Sequence, residues 1–248
     1  MTQIDGPLQK GNAEAKSLAS LSVFFPCYNE QDNILPVVNQ AWKVLDGLNR
    51  DYEIIIVDDG SSDRTGQVAK DLARQNQRLR VVTHPANLGY GQALRSGFQA
   101  AGMDLIFYTD GDGQFDLVEL PPLLQLMDRY DIVSCYRLNR QDPLSRRIKG
   151  WCWTRLVCWL FNLNISDVNC GFKLYRREVF ADMELLSTGA LIDAEILAQA
   201  SRRGFSIVQK GVYHLPRTSG LQTGGDWSVV FRAFKELLKL RRRFLESD

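Results

Sequence analysis

Only two histidines, His84 and His214, occur in 248 residues, and the five cysteines (Cys27, Cys135, Cys152, Cys158, Cys170) form no Cys-x-x-Cys pair. Zinc-ligand spacing is therefore absent, and an odd cysteine count without a signal peptide is expected of a protein kept in a reducing cytosol. No run approaches the ~20 apolar residues that a bilayer-spanning helix needs. The nearest, Trp151 to Leu163, is interrupted by Thr154, Arg155 and Asn162. A soluble or peripheral protein is expected. A net charge of +1 gives no whole-molecule field for nucleic acid, so no such partner is expected.

What remains is globular composition: 45% hydrophobic and 24% charged residues, enough for one sizeable core. Residues 1–20 are polar and read as a mobile tail, 21–225 as one domain, and 226–248 as a C-terminal amphipathic helix. Within the domain, strand and helix signals alternate, which predicts an α/β fold with a mainly parallel sheet covered on both faces. Strands are predicted at Leu21–Phe25, Glu53–Val57, Leu79–Thr83, Asp104–Tyr108, Asp131–Cys135, Gly171–Tyr175 and Phe205–Tyr213. Helices are predicted at Ile34–Leu48, from a cap at Asp63 to about Asn76, at Gly89–Ala101, from Pro121 to about Arg129, at 151–163 and at Ile192–Arg203. Asp226 or Ser228 could open the last helix.

Ligands of open α/β sheets bind beyond the carboxyl ends of the strands. Three such ends carry carboxylates or tight turns: Pro26-Cys-Tyr-Asn-Glu30, Asp58-Asp-Gly-Ser-Ser-Asp63 and Asp110-Gly-Asp-Gly-Gln114. Capping would explain any one of them; all three in succession point to a site. In the last, two carboxylates flank a glycine and can face one hard cation, Mg²⁺ or Mn²⁺, which bridges to phosphate oxygens.

Four segments together resemble glycosyltransferase family 2: Phe24 to Asn33, Ile55 to Asp63, Asn87-Leu-Gly-Tyr-Gly91 and Thr109 to Gln114. Asp167-Val-Asn-Cys-Gly-Phe-Lys173 and Arg217-Thr-Ser-Gly220 look like its dolichyl-phosphate mannose synthase branch, which includes bacterial polyprenyl-phosphate glycosyltransferases. The resemblance implies a GT-A fold with a Rossmann-like sheet, and inverting transfer of a hexose from a GDP-mannose- or UDP-glucose-type donor to a polyprenyl phosphate. It implies that Pro26, Tyr28 and Glu30 line the nucleotide pocket, with Asp59 near base or ribose. Asp110, Asp112 and Gln114 would hold Mg²⁺ or Mn²⁺ against the donor diphosphate. Arg137 would meet the acceptor phosphate and Arg217 would also contact phosphate, so Asp112, Arg137 and Arg217 are the expected catalytic groups.

The sequence departs from the family pattern around the acceptor. Cys135-Tyr136 stands where a small pair is usual, the second phosphate-binding arginine is Arg146 or Arg147, and the late signature survives only as Arg217 to Thr223. A soluble or protein hydroxyl acceptor is the alternative, with Asp193 or Glu195 as its base. A non-catalytic nucleotide-sugar-binding regulator is a third reading. The branch's better-known bacterial members continue into transmembrane helices; this chain resembles the compact ones.

Arg137, Arg140, Arg146, Arg147, Lys149 and Arg155 lie close to Trp151, Trp153 and Trp159, a combination suited to lipid headgroups. This predicts peripheral contact with the cytoplasmic membrane face; a core helix after a solvated loop is the other reading. The tail helix places Trp227, Val230, Phe231, Phe234 and Leu238 on one face, for docking onto the domain or for membrane contact, with Arg241-Arg-Arg243 at its end. His84 is read as a surface residue, and His214 as structural, near a position some GT-A enzymes use for metal.

Overall fold

The computed structural model describes residues 18–140, 142–217 and 227–246. The tail up to residue 17, Thr218 to Thr223 of the late signature, and Asp226 lie outside the described residues. Strands β1 (Leu21–Cys27), β2 (Tyr52–Asp58), β3 (Leu79–Thr83) and β4 (Leu105–Thr109) alternate with helices α1 (Ile34–Asp46), α2 (Thr65–Gln75) and α3 (Tyr90–Ala100). Then follow α4 (Leu120–Leu126), β5 (Ile132–Leu138), α5 (Leu144–Phe161), β6 (Phe172–Arg176), α6 (Ile192–Arg202), β7 (Ile207–Tyr213) and α7 (Trp227–Glu246).

The strands form one seven-stranded sheet in the order β3-β2-β1-β4-β6-β5-β7. Every pairing is parallel except those of β6, which runs antiparallel to both β4 and β5. Successive side chains of a strand point to opposite faces, and here both faces are covered. Val23 and Phe25 join the core under α1, α2 and α4, while Phe24 joins the core under α3, α5, α6 and α7. This is why the inner strands read as unbroken apolar runs rather than alternating ones. Pro26 fits the central strand because the β4 ladder ends at Phe24 paired with Tyr108, so the missing N–H costs no bond there.

One expectation is corrected, and the docked face of the last helix is identified. Helix α5 begins at Leu144, seven residues before the predicted start, so Arg146, Arg147, Lys149 and Arg155 of the basic stretch are part of it. A helix needs only one packed face, and this one buries Thr154 and Val157 and sets Trp153 edge-to-face with Phe234 and Phe161 edge-to-face with Phe244 of α7. On α7 the packed residues are Leu237, Leu240 and Phe244, whereas Phe234 and Leu238 are exposed. At about 100° per residue, the docked face lies roughly a quarter turn from the predicted one. The side chains of Trp227, Val230 and Phe231 lie outside the described residues.

Candidate active site

The loops after β1 and β2 are laced together, and this fixes Glu30. Asn29 takes a left-handed conformation, φ 56°, from which its side-chain oxygen accepts from Ser62 N at 2.9 Å. Its own N–H donates to Ser61 Oγ, and Glu30 N donates to Thr65 Oγ1 at 2.8 Å. The Glu30 carboxylate is buried and accepts from Asn33 Nδ2 at 2.6 Å. Tyr28 beside it is exposed and Pro26 is buried at the end of β1.

Beyond β4, the chain turns through Gly113 at φ 73°, a conformation that favours glycine. Asp112 Oδ1 accepts from Gln114 N at 3.0 Å, closing the turn. Asp110 is closely packed: Tyr90 donates its hydroxyl to Oδ1 at 3.0 Å, and a Cβ on Gly171 would collide with the carboxylate. Burial first, and the Asp112 charge second, push Asp110 up to about 7. Paired anions of this kind are relieved by a divalent cation.

The segment after β7 completes the group. Leu215 N donates to Gln114 O at 2.9 Å and Gln114 Nε2 donates to Leu215 O at 3.2 Å. That exchange brings Arg217 over the site, where it bonds Glu30 through Nη2 and Asp112 Oδ2 through Nη1, the latter at 3.2 Å. Gln114 thus engages Leu215 through its amide nitrogen, an atom that does not ligate cations, and Asp110 and Asp112 supply the carboxylates that could hold one. Next in the chain, His214 is buried beside Phe115, and its Nδ1 has no hydrogen-bond partner. Burial, then Arg137, hold its proton affinity below the ordinary histidine value, so the neutral ring keeps a lone pair available. The donor set fits a hard cation. Among the described residues no three His, Cys, Asp or Glu side chains converge as a closed cage, which leaves coordination positions for phosphate oxygens.

Asp59 sits at the carboxyl end of β2 as expected, but protein groups take up its oxygens. Oδ1 meets His84 Nδ1 at 2.7 Å and Leu88 N at 2.9 Å, and Oδ2 accepts from Gly89 N at 2.9 Å. His84 is therefore not a surface residue: it is 8% exposed and also bonded to Ser96 Oγ at 2.8 Å. A polar loop conceals this, since one partner lies 25 residues before it and the other 12 after.

Arg137 and Arg140 lie near enough to His214 to disfavour its protonation, and most of the candidate arginines are paired. Arg137 grips Asp167 with Nε at 2.7 Å and Nη2 at 2.8 Å, which leaves the Nη1 edge for an anion. Burial opposes the Arg137 charge, yet Asp167 outweighs it and raises its proton affinity. Arg140 and Arg146 share Asp142, at 2.8 and 3.5 Å, while Arg147 is exposed. The two candidate bases are engaged inside the protein. Asp193 pairs with fully buried Lys173 at 2.8 Å and accepts from Tyr108; Glu195 accepts from Leu186 N and Ser187 N, the latter at 2.8 Å.

A family model described as glycosyl transferase family 2 matches residues 22–183. The undecaprenyl-phosphate 4-deoxy-4-formamido-L-arabinose transferase of Edwardsiella ictaluri (strain 93-146) is 34% identical over 174 residues, 69% of this chain and 53% of its own. The chain thus spans about half the length of that relative. The dodecaprenyl-phosphate galacturonate synthase of Rhizobium johnstonii is 30% identical over 241 residues, 94% of this chain and 70% of its own. Among solved structures, mannosyl-3-phosphoglycerate synthase from Rubrobacter xylanophilus superposes with a TM-score of 0.67 at 18% identity, covering 91% of this chain and 75% of that one. Glucosyl-3-phosphoglycerate synthase from Mycobacterium tuberculosis, solved with Mn²⁺, UDP and phosphoglyceric acid, gives 0.65 at 20% identity, covering 90% and 75%. At these identities the structures establish the fold alone, a GT-A arrangement with helices on both faces of a mainly parallel sheet.

Proposed function

Because the chain belongs to glycosyl transferase family 2, we propose that it transfers a hexose from a nucleoside diphosphate donor to a polyprenyl phosphate, with inversion at the anomeric carbon. Family membership makes it a glycosyltransferase rather than a binding regulator. The observation that carries the finer reading is the convergence of Glu30, Asp112 and Arg217, drawn from three distant parts of the chain to one strand-end site. The acceptor class is supported by the two relatives whose names specify undecaprenyl and dodecaprenyl phosphate.

Tyr28 and Glu30 border the nucleotide. Asp110 and Asp112 would hold Mg²⁺ or Mn²⁺, which when bound neutralises charge on the leaving diphosphate. Arg217 turns its guanidinium to the same phosphates, and Arg137, oriented by Asp167, offers Nη1 to the acceptor phosphate. An acceptor oxygen bonds to the anomeric carbon as the bond to the diphosphate breaks on the opposite side. The acceptor is already anionic, so no base is needed. A hydroxyl acceptor would require one, and burial of Asp193 and Glu195 in protein bonds disfavours that alternative.

The test is a donor screen, GDP-mannose and UDP-glucose among them, with undecaprenyl phosphate and mass detection of product. Arg137→Ala is expected to raise the barrier by about 2–4 kcal/mol, the scale of losing one charge-stabilising donor. An Arg137→Ala kcat/KM near wild type with the matched donor would remove the lipid-phosphate mechanism.

Peripheral membrane contact at the cytoplasmic face belongs to the same proposal. Among the described residues no helix is long and apolar enough to cross a bilayer. Leu144, Ile148, Trp151 and Trp159 nevertheless form an exposed stripe on α5, beside Arg147, Lys149 and Arg155 and with no acidic residue on the helix. Each basic residue near an anionic surface contributes about 1 kcal/mol, and salt screens it. Sedimentation with phosphatidylserine-containing vesicles is expected at low salt, weakened by Trp151→Ala/Trp159→Ala. Absence of binding at low salt would turn the stripe over to another occupant.

A further inference from the structure

Arg217 occupies an unusual position for a phosphate-binding group. Its guanidinium spans Glu30 and Asp112, and all three side chains are 10–15% accessible, so water screens the contacts weakly. Asp112 uses Oδ1 to close its own turn with Gln114, which leaves Oδ2 as the outward oxygen. Arg217 takes that same Oδ2 at 3.2 Å. A cation held by Asp112 through Oδ2 would compete with Arg217 for it. Two positive groups cannot share one carboxylate oxygen at contact distance without mutual repulsion.

From this we infer that Arg217 is the resident counter-cation of the metal position, displaced only when a donor diphosphate arrives to receive it. The inference rests on the proposed metal role of Asp110 and Asp112. The site then carries a positive partner before the donor binds, which keeps Glu30 and Asp112 from standing as uncompensated, partly buried anions. A guanidinium suits the exchange because its planar fork matches carboxylate and phosphate oxygens equally well. The Gln114–Leu215 exchange fixes the backbone just before Arg217, so only the side chain has to turn. Metal and nucleoside diphosphate consequently bind with positive coupling, each favouring the state in which Arg217 has left Asp112.

The test is Mn²⁺ binding in the absence of turnover, followed by loss of the free-ion EPR signal, with and without UDP or GDP. Wild type is expected to bind Mn²⁺ weakly alone and much more tightly with nucleotide. Arg217→Gln should bind Mn²⁺ alone about tenfold more tightly, the scale of one lost competing charge pair, and should gain less from nucleotide. Arg217→Lys, which keeps the charge but not the fork, should stay near wild type with Mn²⁺ alone, and a thermal melt confirms that each variant is folded. If neither variant binds Mn²⁺ differently from wild type, while nucleotide-assisted binding persists and Asp112→Asn abolishes it, the counter-cation role is overturned and the metal site stands. If no form binds Mn²⁺ even with nucleotide, the metal reading falls and this inference with it.

Discussion

Asp112→Asn is expected to lower kcat by about a thousandfold or more, several kcal/mol of lost charge stabilisation, with the fold unchanged. Asparagine keeps the oxygen that accepts from Gln114 N, so the turn survives, and only the negative charge is removed. Arg217 loses its 3.2 Å contact with Asp112 but keeps its bond to Glu30, so its charge stays paired and the fold is expected to hold. Activity should likewise vanish in excess EDTA and return with Mg²⁺ or Mn²⁺. An Asp112→Asn enzyme turning over at the wild-type rate, or full activity in EDTA, would sink the assignment of this turn to the donor diphosphate.

Asp193→Asn is expected to cost about 3–5 kcal/mol of folding stability, because it leaves a buried ammonium without its counter-charge. Lys173 is wholly buried, and its Nζ reaches Asp193, Tyr108 and the Cys170 carbonyl, with no route to water. A loss of this size consumes much of the 5–15 kcal/mol typical of a domain. Replacing both partners, Lys173→Met with Asp193→Leu, should recover most of it, since the desolvation penalty disappears with the charges. Urea unfolding of the single and double variants decides the matter. If Asp193→Asn stays within about 1 kcal/mol of wild type, the Lys173–Asp193 pair does not act as a buried ion pair. The same result bears on catalysis: an inactive Asp193→Asn would count for a base only if measured on folded protein.

The strand skeleton was legible because β-branched and apolar runs ending in Asp or Gly survive any tertiary context, and β3 matches its predicted span residue for residue. The Asp110–Gln114 turn was legible for the same reason: it follows a buried strand directly. Arg217 was placed by resemblance, but its bond to a residue 105 positions earlier depends on the Gln114–Leu215 exchange, which local pattern does not encode. Lys173 carries a different lesson. A lysine inside a strand pattern suggests a solvated face, yet β6 lies in the sheet interior between β4 and β5, so its charge had to be matched from α6. His84 and the start of α5 were missed alike, because polarity along the chain says little about which polar groups find partners inside.

The reversed central strand sets the order in which the molecule can be built. Strands β1 to β4 have all their mutual partners by residue 109, so the N-terminal half can close while synthesis continues. Strand β5 pairs only with β6 and β7, both later in the chain. At 5–20 residues per second, the ribosome needs roughly 2–8 s to pass from the end of β5 to the end of β6. Throughout that interval Ile-Val-Ser-Cys-Tyr-Arg-Leu is an apolar ribbon with both edges open, the form most prone to pairing with another nascent chain. The C-terminal half is thus the vulnerable portion of the molecule during its own synthesis: β6 closes one edge of β5, and the exposure ends only when β7 closes the other.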